Sequence, residues 1–329
     1  MTLTQIRSQL FSSSGTNFDE LALSLFRIQA QELEIYKAYI NQLQIDINAV
    51  EQITDIPFLP INFFKSHQIV LNEFKQDKLS FFQSSGTSGL QGSKHYIVDE
   101  SLYIDSFMQG FNHFFGNPDQ FVILGLLPSY LENGNSSLVF MVDKLTQASH
   151  QAESGFYLHN YQQLAEVLAQ LNNQNRPVIL FGVTYALLDF ATQFPMPLNN
   201  TQIIETGGMK GRREELTRKE VHQMLQQAFS QAHIQSEYGM TELFSQAYSM
   251  QGGIFNSPPW MKLLIRDVND PFEISSQGKG LINCIDLANL YSCAFLATDD
   301  LGEVHTNGSF SVNGRLDHSE LRGCSLLAI

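Results

Sequence analysis

Phe82-Gln-Ser-Ser-Gly-Thr-Ser-Gly-Leu-Gln-Gly-Ser-Lys-His95 is the stretch on which the reading of this chain turns. Gly86, Gly89 and Gly92 stand among Ser84, Ser85, Thr87, Ser88 and Ser93, with Lys94 directly behind. Glycine lets successive N–H groups turn toward one point, hydroxyls add donors, and lysine adds a positive charge. Such a loop suits the phosphates of a nucleotide. It is not a Walker loop: Gln91 and Lys94 stand where a Gly-Lys-Ser/Thr step would have to fall after Gly86 and Gly89. It contains no Gly-x-Gly-x-x-Gly, which removes a dinucleotide fingerprint. Alone, a Gly/Ser-rich segment is as well read as a flexible polar loop, so the reading depends on what lies downstream.

Three further segments follow in order. They are Ser236-Glu-Tyr-Gly-Met-Thr-Glu242, Ala297-Thr-Asp-Asp-Leu-Gly302 and Val312-Asn-Gly-Arg-Leu-Asp317. A Ser/Thr/Gly loop followed about 150 residues later by Tyr-Gly-x-Thr-Glu resembles the adenylate-forming superfamily of acyl-CoA synthetases, condensation-enzyme adenylation domains and luciferases. Each segment alone reads as a loop or a turn; their order carries the resemblance. The terminal His318-Ser-Glu-Leu-Arg-Gly-Cys-Ser-Leu-Leu-Ala-Ile329 narrows it. It resembles the end of the LuxE-type acyl-protein synthetases of bacterial fatty-acid reductase complexes, as do Leu127-Pro-Ser-Tyr-Leu-Glu132 and Ser136-Ser-Leu-Val-Phe-Met141. The likeness runs from about Pro57 to the last residue.

The elements around these segments agree with an α/β chain. Phe18–Gln44 carries apolar residues at helical spacing, with Asn17 or Ser14 as a cap. Pro57, Pro60 and Phe63-Phe64 mark an extended crossover over Ile61–Leu79. A short strand at Tyr96–Val98 and a helix over Ser101–Phe115 capped by Asp99 follow the glycine loop. Strands at Phe121–Leu127, Val178–Phe181, Ile203–Thr206 and Ile234–Glu237 alternate with helices at Tyr161–Leu171, Tyr185–Phe194 and Glu214–Phe229. That is the pattern of βαβ units on a mainly parallel sheet. Beyond Trp260 the pattern changes to short strands at Met261–Arg266, Gly280–Asp286, Ala294–Thr298 and Ser309–Val312, a small antiparallel or barrel-like lobe. The expected fold is thus an α/β adenylate-forming core with distorted, mainly parallel sheets over residues 1–259. A β-rich lobe with the Gly-Arg hinge and a Cys-containing tail is expected over residues 260–329.

Composition bounds the partners. The 329 residues carry 19 basic against 33 acidic side chains, a formal charge of −14, which argues against a nucleic-acid surface. Cys284, Cys293 and Cys324 form neither a CxxC nor an even disulfide set, so a reduced, cytoplasmic compartment is expected. No apolar run approaches the length of a membrane span, and no secretory leader is read at the start. Among nine histidines no metal-ligand spacing occurs, and no Gly-x-Ser-x-Gly elbow marks a hydrolase. His95, abutting the loop, is the histidine singled out.

The resemblance implies roles. Ser84, Ser85, Gly86, Thr87, Ser88, Gly89 and Lys94 would hold the β- and γ-phosphates of ATP. Thr241 would donate to the α-phosphate, and Glu242 would bind Mg²⁺, a hard cation that takes carboxylate and phosphate oxygens. Tyr238, followed by Gly239, would set its ring against adenine beside the glycine pair Gly207-Gly208. Asp300 would grip the ribose, with Asp299 as the competing aspartate, and the Arg315 fork would stabilise phosphate charge. Lys210, Arg212 and Arg213 read better as a solvated helix start. Most adenylate-forming enzymes continue past the Gly-Arg-x-Asp hinge into a domain with a catalytic lysine, whereas fourteen residues follow Arg315 here. Cys324 stands where an acyl acceptor is needed, with Arg322 favouring its thiolate. The implied activity is activation of a carboxylic, expectedly fatty, acid by ATP, transfer to Cys324, and delivery to an acyl-accepting protein, reductase-like or a carrier. A CoA ligase completed in trans and a non-catalytic nucleotide-binding scaffold are the alternatives.

Overall fold

A computed structural model describes residues 1–11, 17–76, 78–84, 92–127, 135–158, 160–207, 216–231 and 233–316. Three helices open the chain: α1 (Leu3–Leu10), α2 (Phe18–Glu32) and α3 (Glu34–Gln42). Their buried residues recur at helical spacing, among them Leu21, Leu25 and Phe26 on α2 and Tyr36 and Ile40 on α3. Asn17 occupies the N-cap position of α2 without capping it; its amide turns instead to Gln9. The expected crossover contains a two-residue strand β1 (Leu59–Pro60) and 3₁₀ turns at Ile61–Lys65 and Asn72–Phe74. It is less extended than its prolines imply, because Pro60 starts a turn as readily as it holds a strand.

The glycine loop joins two antiparallel strands, β2 (Ser80–Gln83) and β3 (Lys94–Ile97), paired from Ser80↔Ile97 to Gln83↔Lys94. α4 (Glu100–Phe115) follows, capped by the Asp99 carboxylate, which accepts from the Ser101 N–H at 3.0 Å. Next come β4 (Val122–Leu126), α5 (Ser137–Ser149), β5 (Gly155–Phe156), α6 (Tyr161–Asn173), β6 (Val178–Val183), α7 (Thr184–Gln193), β7 (Thr201–Thr206), α8 (Arg218–Phe229) and β8 (Gln235–Tyr238). β4, β6, β7 and β8 pair in parallel, with β5 added parallel at the edge. β4 and β6 are buried along their whole length, as a strand covered by helices on both faces must be.

The chain then turns antiparallel through β9 (Ala247–Ser249), β10 (Ile254–Asn256), β11 (Met261–Arg266), β12 (Ile274–Ser275), β13 (Gly278–Asp286), β14 (Phe295–Val304) and β15 (Phe310–Arg315). The strand order is β12-β11-β13-β14-β15-β10-β9-β8-β7-β6-β4-β5, with β1 added to β14. The β-rich C-terminal region expected from the sequence is present, and its strands continue the ladder of the parallel core. Ala297–Gly302, which reads as a turn when taken alone, is the interior of β14. Sheet twist is large: Tyr238 on β8 hydrogen-bonds Asp300 on β14 at 2.9 Å, although β9, β10 and β15 lie between them in strand order. Four strand steps on a flat sheet would span roughly 19 Å, so the sheet coils until its middle faces its far limb.

Candidate active site

The coil brings three of the sequence motifs to one place. At the described flanks of the glycine loop, Ser84 N–H donates to Ser93 O at 3.0 Å and Ser93 N–H to Ser84 Oγ at 2.9 Å. A side chain at Gly92 would run into the Ser84 carbonyl, so only glycine permits this closure. Ser85, Gly86, Thr87, Ser88 and Gly89 lie outside the described residues. Lys94 places its ammonium 4.6 Å from the ring centroid of Phe81, on the hairpin face opposite His95.

The other flank of the loop is tied to the Thr241-Glu242 segment. The Ser93 hydroxyl lies by the Glu242 carboxylate and favours its charged form. His95 is fully buried: Nδ1 bonds the Thr241 carbonyl at 3.0 Å and Nε2 the Ser292 hydroxyl at 2.8 Å. A carbonyl only accepts, so Nδ1 carries the proton and Nε2 accepts from Ser292. Burial holds His95 down to about 4, so it is a neutral strut between loop and motif. Its ring stacks on Phe244 at 4.5 Å and meets Phe64 edge-on at 5.5 Å.

Residues with no motif of their own hold the same segment from behind. Asn289 donates to the Glu242 carbonyl at 2.8 Å and accepts from Phe244 N–H at 3.1 Å. The buried Asp286 carboxylate accepts from the N–H groups of Phe244 and Ser245, both at 2.9 Å, and from the Ser245 hydroxyl at 2.6 Å. Trp260 donates its indole N–H to Ser245 and Ser106. Gln29 of α2 clasps the connection that carries Asn289, donating to its carbonyl at 2.9 Å and accepting from Ala294 N–H at 2.9 Å. Sequence reasoning missed this brace. The available signal was the unusual run of polar residues, Asp286, Asn289 and Ser292, inside a buried stretch.

Glu242 is buried, and desolvation raises its pKa, against which Ser93, its own backbone N–H and the charges of Arg315 and Lys65 act. Lys65, exposed at the end of the 3₁₀ turn packed beside β3 and β14, is a cation that the motifs do not mark. A desolvated carboxylate with a hydroxyl alongside offers the oxygen donors that Mg²⁺ takes, so Glu242 fits that ion. Among the described residues no group of three His, Cys, Asp or Glu side chains forms a metal cluster. An ion held by one carboxylate and by substrate phosphates needs none.

Asp300 is the better placed of the two aspartates. It accepts from the Tyr238 hydroxyl at 2.9 Å and faces the Arg315 guanidinium, with Nε 3.3 Å from Oδ1. Burial raises its pKa, with Arg315 and the Tyr238 hydroxyl acting in the opposite sense. Strand alternation turns Asp299 to the other face of β14, where its charge acts on Arg266. The Tyr238 ring is buried, edge-on to Phe255 and Phe310 at 6.0 and 5.4 Å. Gly207 directly follows β7 and has open space where a Cβ would stand; Gly208 and Cys324 lie outside the described residues. No helix among the described residues is long and apolar enough to cross a membrane.

The chain as a whole is similar to known proteins. The profile of the acyl-protein synthetase family LuxE matches residues 13–328. The long-chain-fatty-acid–luciferin-component ligase of Aliivibrio fischeri is 21% identical over 94% of this chain and 86% of its own length. ATP-bound MatB from Rhodopseudomonas palustris superposes with a TM-score of 0.54 at 16% identity, over 73% of this chain and 49% of that one. An adenylation domain of a keto acid-selecting synthetase module, bound to a keto acyl adenylate, superposes at 0.51 with 14% identity, over 71% and 51%. These likenesses show the adenylate-forming fold, and the chain spans about half the length of those solved chains.

Proposed function

This chain belongs to the LuxE acyl-protein synthetase family and is an enzyme of the ligase type, and from that premise we propose that it joins a fatty acid to AMP and then passes the acyl group to its own thiol and on to a partner protein. One observation carries the reading. Thr241 and Glu242 are pinned to the end of the glycine loop through His95 and Ser93, while Tyr238, Asp300 and Arg315 meet on the adjoining strands. These contacts support the reading that the phosphate, metal and ribose groups the resemblance implies belong to one site.

The first step brings two anions together, so charge neutralisation and positioning dominate it. The acid's carboxylate oxygen forms a bond to the α-phosphorus, and the bond from that phosphorus to the bridging oxygen breaks as pyrophosphate leaves. Ser84, Ser85, Thr87 and Ser88, the loop N–H groups of Gly86 and Gly89, and Lys94 hold the departing phosphates. Thr241 donates to the α-phosphate, and Arg315 swings its exposed fork from Asp300 to the growing charge. Asp300 keeps the ribose hydroxyls as Tyr238 lines the adenine side with Gly207, Gly208 and Gly239. Glu242 would hold Mg²⁺, which would supply positive charge to the leaving group. In the second step the Cys324 thiolate attacks the acyl carbonyl, the carbonyl–phosphate bond breaks, and AMP departs. A partner nucleophile then takes the acyl group and restores the thiolate.

Exchange of labelled pyrophosphate into ATP, dependent on added acid, tests the first step. Glu242→Gln should lower that exchange about a hundred- to thousandfold, the usual loss for one electrostatic contact to a developing charge. Equal exchange in Glu242→Gln and wild type would remove Glu242 from the metal site.

A further inference from the structure

Glu237 sits inside the Tyr-Gly-Met-Thr-Glu region yet has no part in the roles above. It lies on β8 in register with Thr206 on β7 and Tyr248 on β9, so three side chains project side by side from one sheet face. That face lies under α4 and α5, whose rings make an aromatic wall. Tyr103 meets Phe82, Phe107 and Phe244 at 5.0 Å each and Phe140 at 5.8 Å, and Phe114 and Phe115 flank Tyr248 at 5.2 and 5.0 Å.

Within this apolar surround the polar groups are under-satisfied. Among the described residues the Glu237 carboxylate has one hydrogen-bond donor, the Thr206 hydroxyl at 2.7 Å, and no cation against it. A carboxylate accepts about four such bonds. Burial pushes its pKa up to about 7, with the Glu205 charge adding to the rise. The Tyr248 hydroxyl is buried with no partner among the described residues, and Tyr248 and Tyr103 both feel the Glu237 charge. A buried polar group without a partner is costly, so its retention calls for a reason. The second oxygen of Glu237 curls back over Gly239, where any Cβ would collide with it. The carboxylate therefore lies between the aromatic face and the Tyr238–Glu242 segment, where the acid would meet ATP. Glu237 is half-buried, so a ligand atom can reach it.

We propose that Glu237 is a polar recognition point for the acid, selecting a carboxylic acid whose chain carries a hydroxyl or amino donor over the plain alkyl acid of equal length. This rests on the acid-activation reading and deepens it. A donor on the acid bonds the free carboxylate oxygen. A plain alkyl chain covers that oxygen without pairing it, which is the arrangement that discriminates most strongly between analogues.

The test is acid-dependent pyrophosphate exchange with pairs of hydroxy-, amino- and unsubstituted acids of matched chain length. Wild type should favour a substituted acid in kcat/KM by about tenfold or more, the worth of one hydrogen bond to a charged group. Glu237→Gln, which keeps shape and an acceptor, should retain preference for the hydroxy acid and lose it for the amino acid. Glu237→Leu should abolish or reverse the preference while still exchanging with the alkyl acid. Wild type exchanging the alkyl acid as well as every substituted partner overturns the inference and leaves acid activation standing. So does an unchanged preference in Glu237→Leu. Absence of exchange with any acid overturns the activation reading and this inference with it.

Discussion

Two adjacent aspartates on β14 show what a single side chain decides. Asp299 and Asp300 are indistinguishable by type, and the motif alone left the ribose contact open between them. The strand pleat separates them: Asp300 faces Tyr238 and Arg315, and Asp299 faces away toward Arg266. Asp300→Asn should therefore raise the KM for ATP about ten- to hundredfold, since an amide cannot present two charged acceptors to adjacent hydroxyls. Asp299→Asn should leave it within a factor of about two, as surface-type changes do. Initial-rate kinetics at varied ATP check the pair, and equal effects from both would contradict the assignment. The motif residues were legible at this scale because each has a fixed chemical task. Glu237, Asp286 and Asn289 were not, because a buried carboxylate or amide announces itself only through the neighbours that fail or manage to satisfy it.

At the scale of elements, α8 is held to the sheet by a buried polar cluster. The His222 ring nitrogen bonds the Ser236 hydroxyl at 3.0 Å, and that hydroxyl donates to Glu205 at 3.2 Å, with Thr184 closing on the other Glu205 oxygen. Burial, helped by the Arg218 charge, holds His222 down to about 4. A histidine with a lowered native pKa stabilises the fold above its ordinary value near 6.5, and this contribution is lost as pH falls from about 6.5 to about 4. The full effect is roughly 3 kcal/mol. His222→Gln removes the titration, so urea unfolding at pH 7 and pH 4 should show the wild type losing more stability than the variant. Glu237, raised to about 7, acts in the opposite sense but equally in both proteins. Parallel losses would place the titration elsewhere. Most elements were readable from periodicity, because long amphipathic helices and buried strands carry strong patterns. The missed ones are short or atypical and include α1, with two buried residues, β9 and β10 at three residues each, and α5, which lies in a segment read only for its resemblance. The helix expected from Glu214 is described from Arg218, where Thr217 and Glu220 make a capping box.

Across the whole molecule, the coil of one mixed sheet places motifs separated by more than two hundred residues in sequence within hydrogen-bond reach of common neighbours. β3, the Thr241–Ser245 segment and the β13–β14 connection meet at His95 and Asn289, and α2 clasps that connection through Gln29. Sequence motifs announced the partners of this meeting but not its brace, since the brace depends on long-range pairing that no local pattern encodes. We propose that activated acyl groups pass to this protein's own thiol. Incubation with labelled fatty acid, ATP and Mg²⁺, followed by denaturation and treatment with hydroxylamine, tests it directly. The account predicts hydroxylamine-sensitive label on the wild-type chain and none on Cys324→Ser, while both exchange pyrophosphate into ATP at the same rate. Equal label on the two proteins, or label appearing only in soluble products, would contradict it.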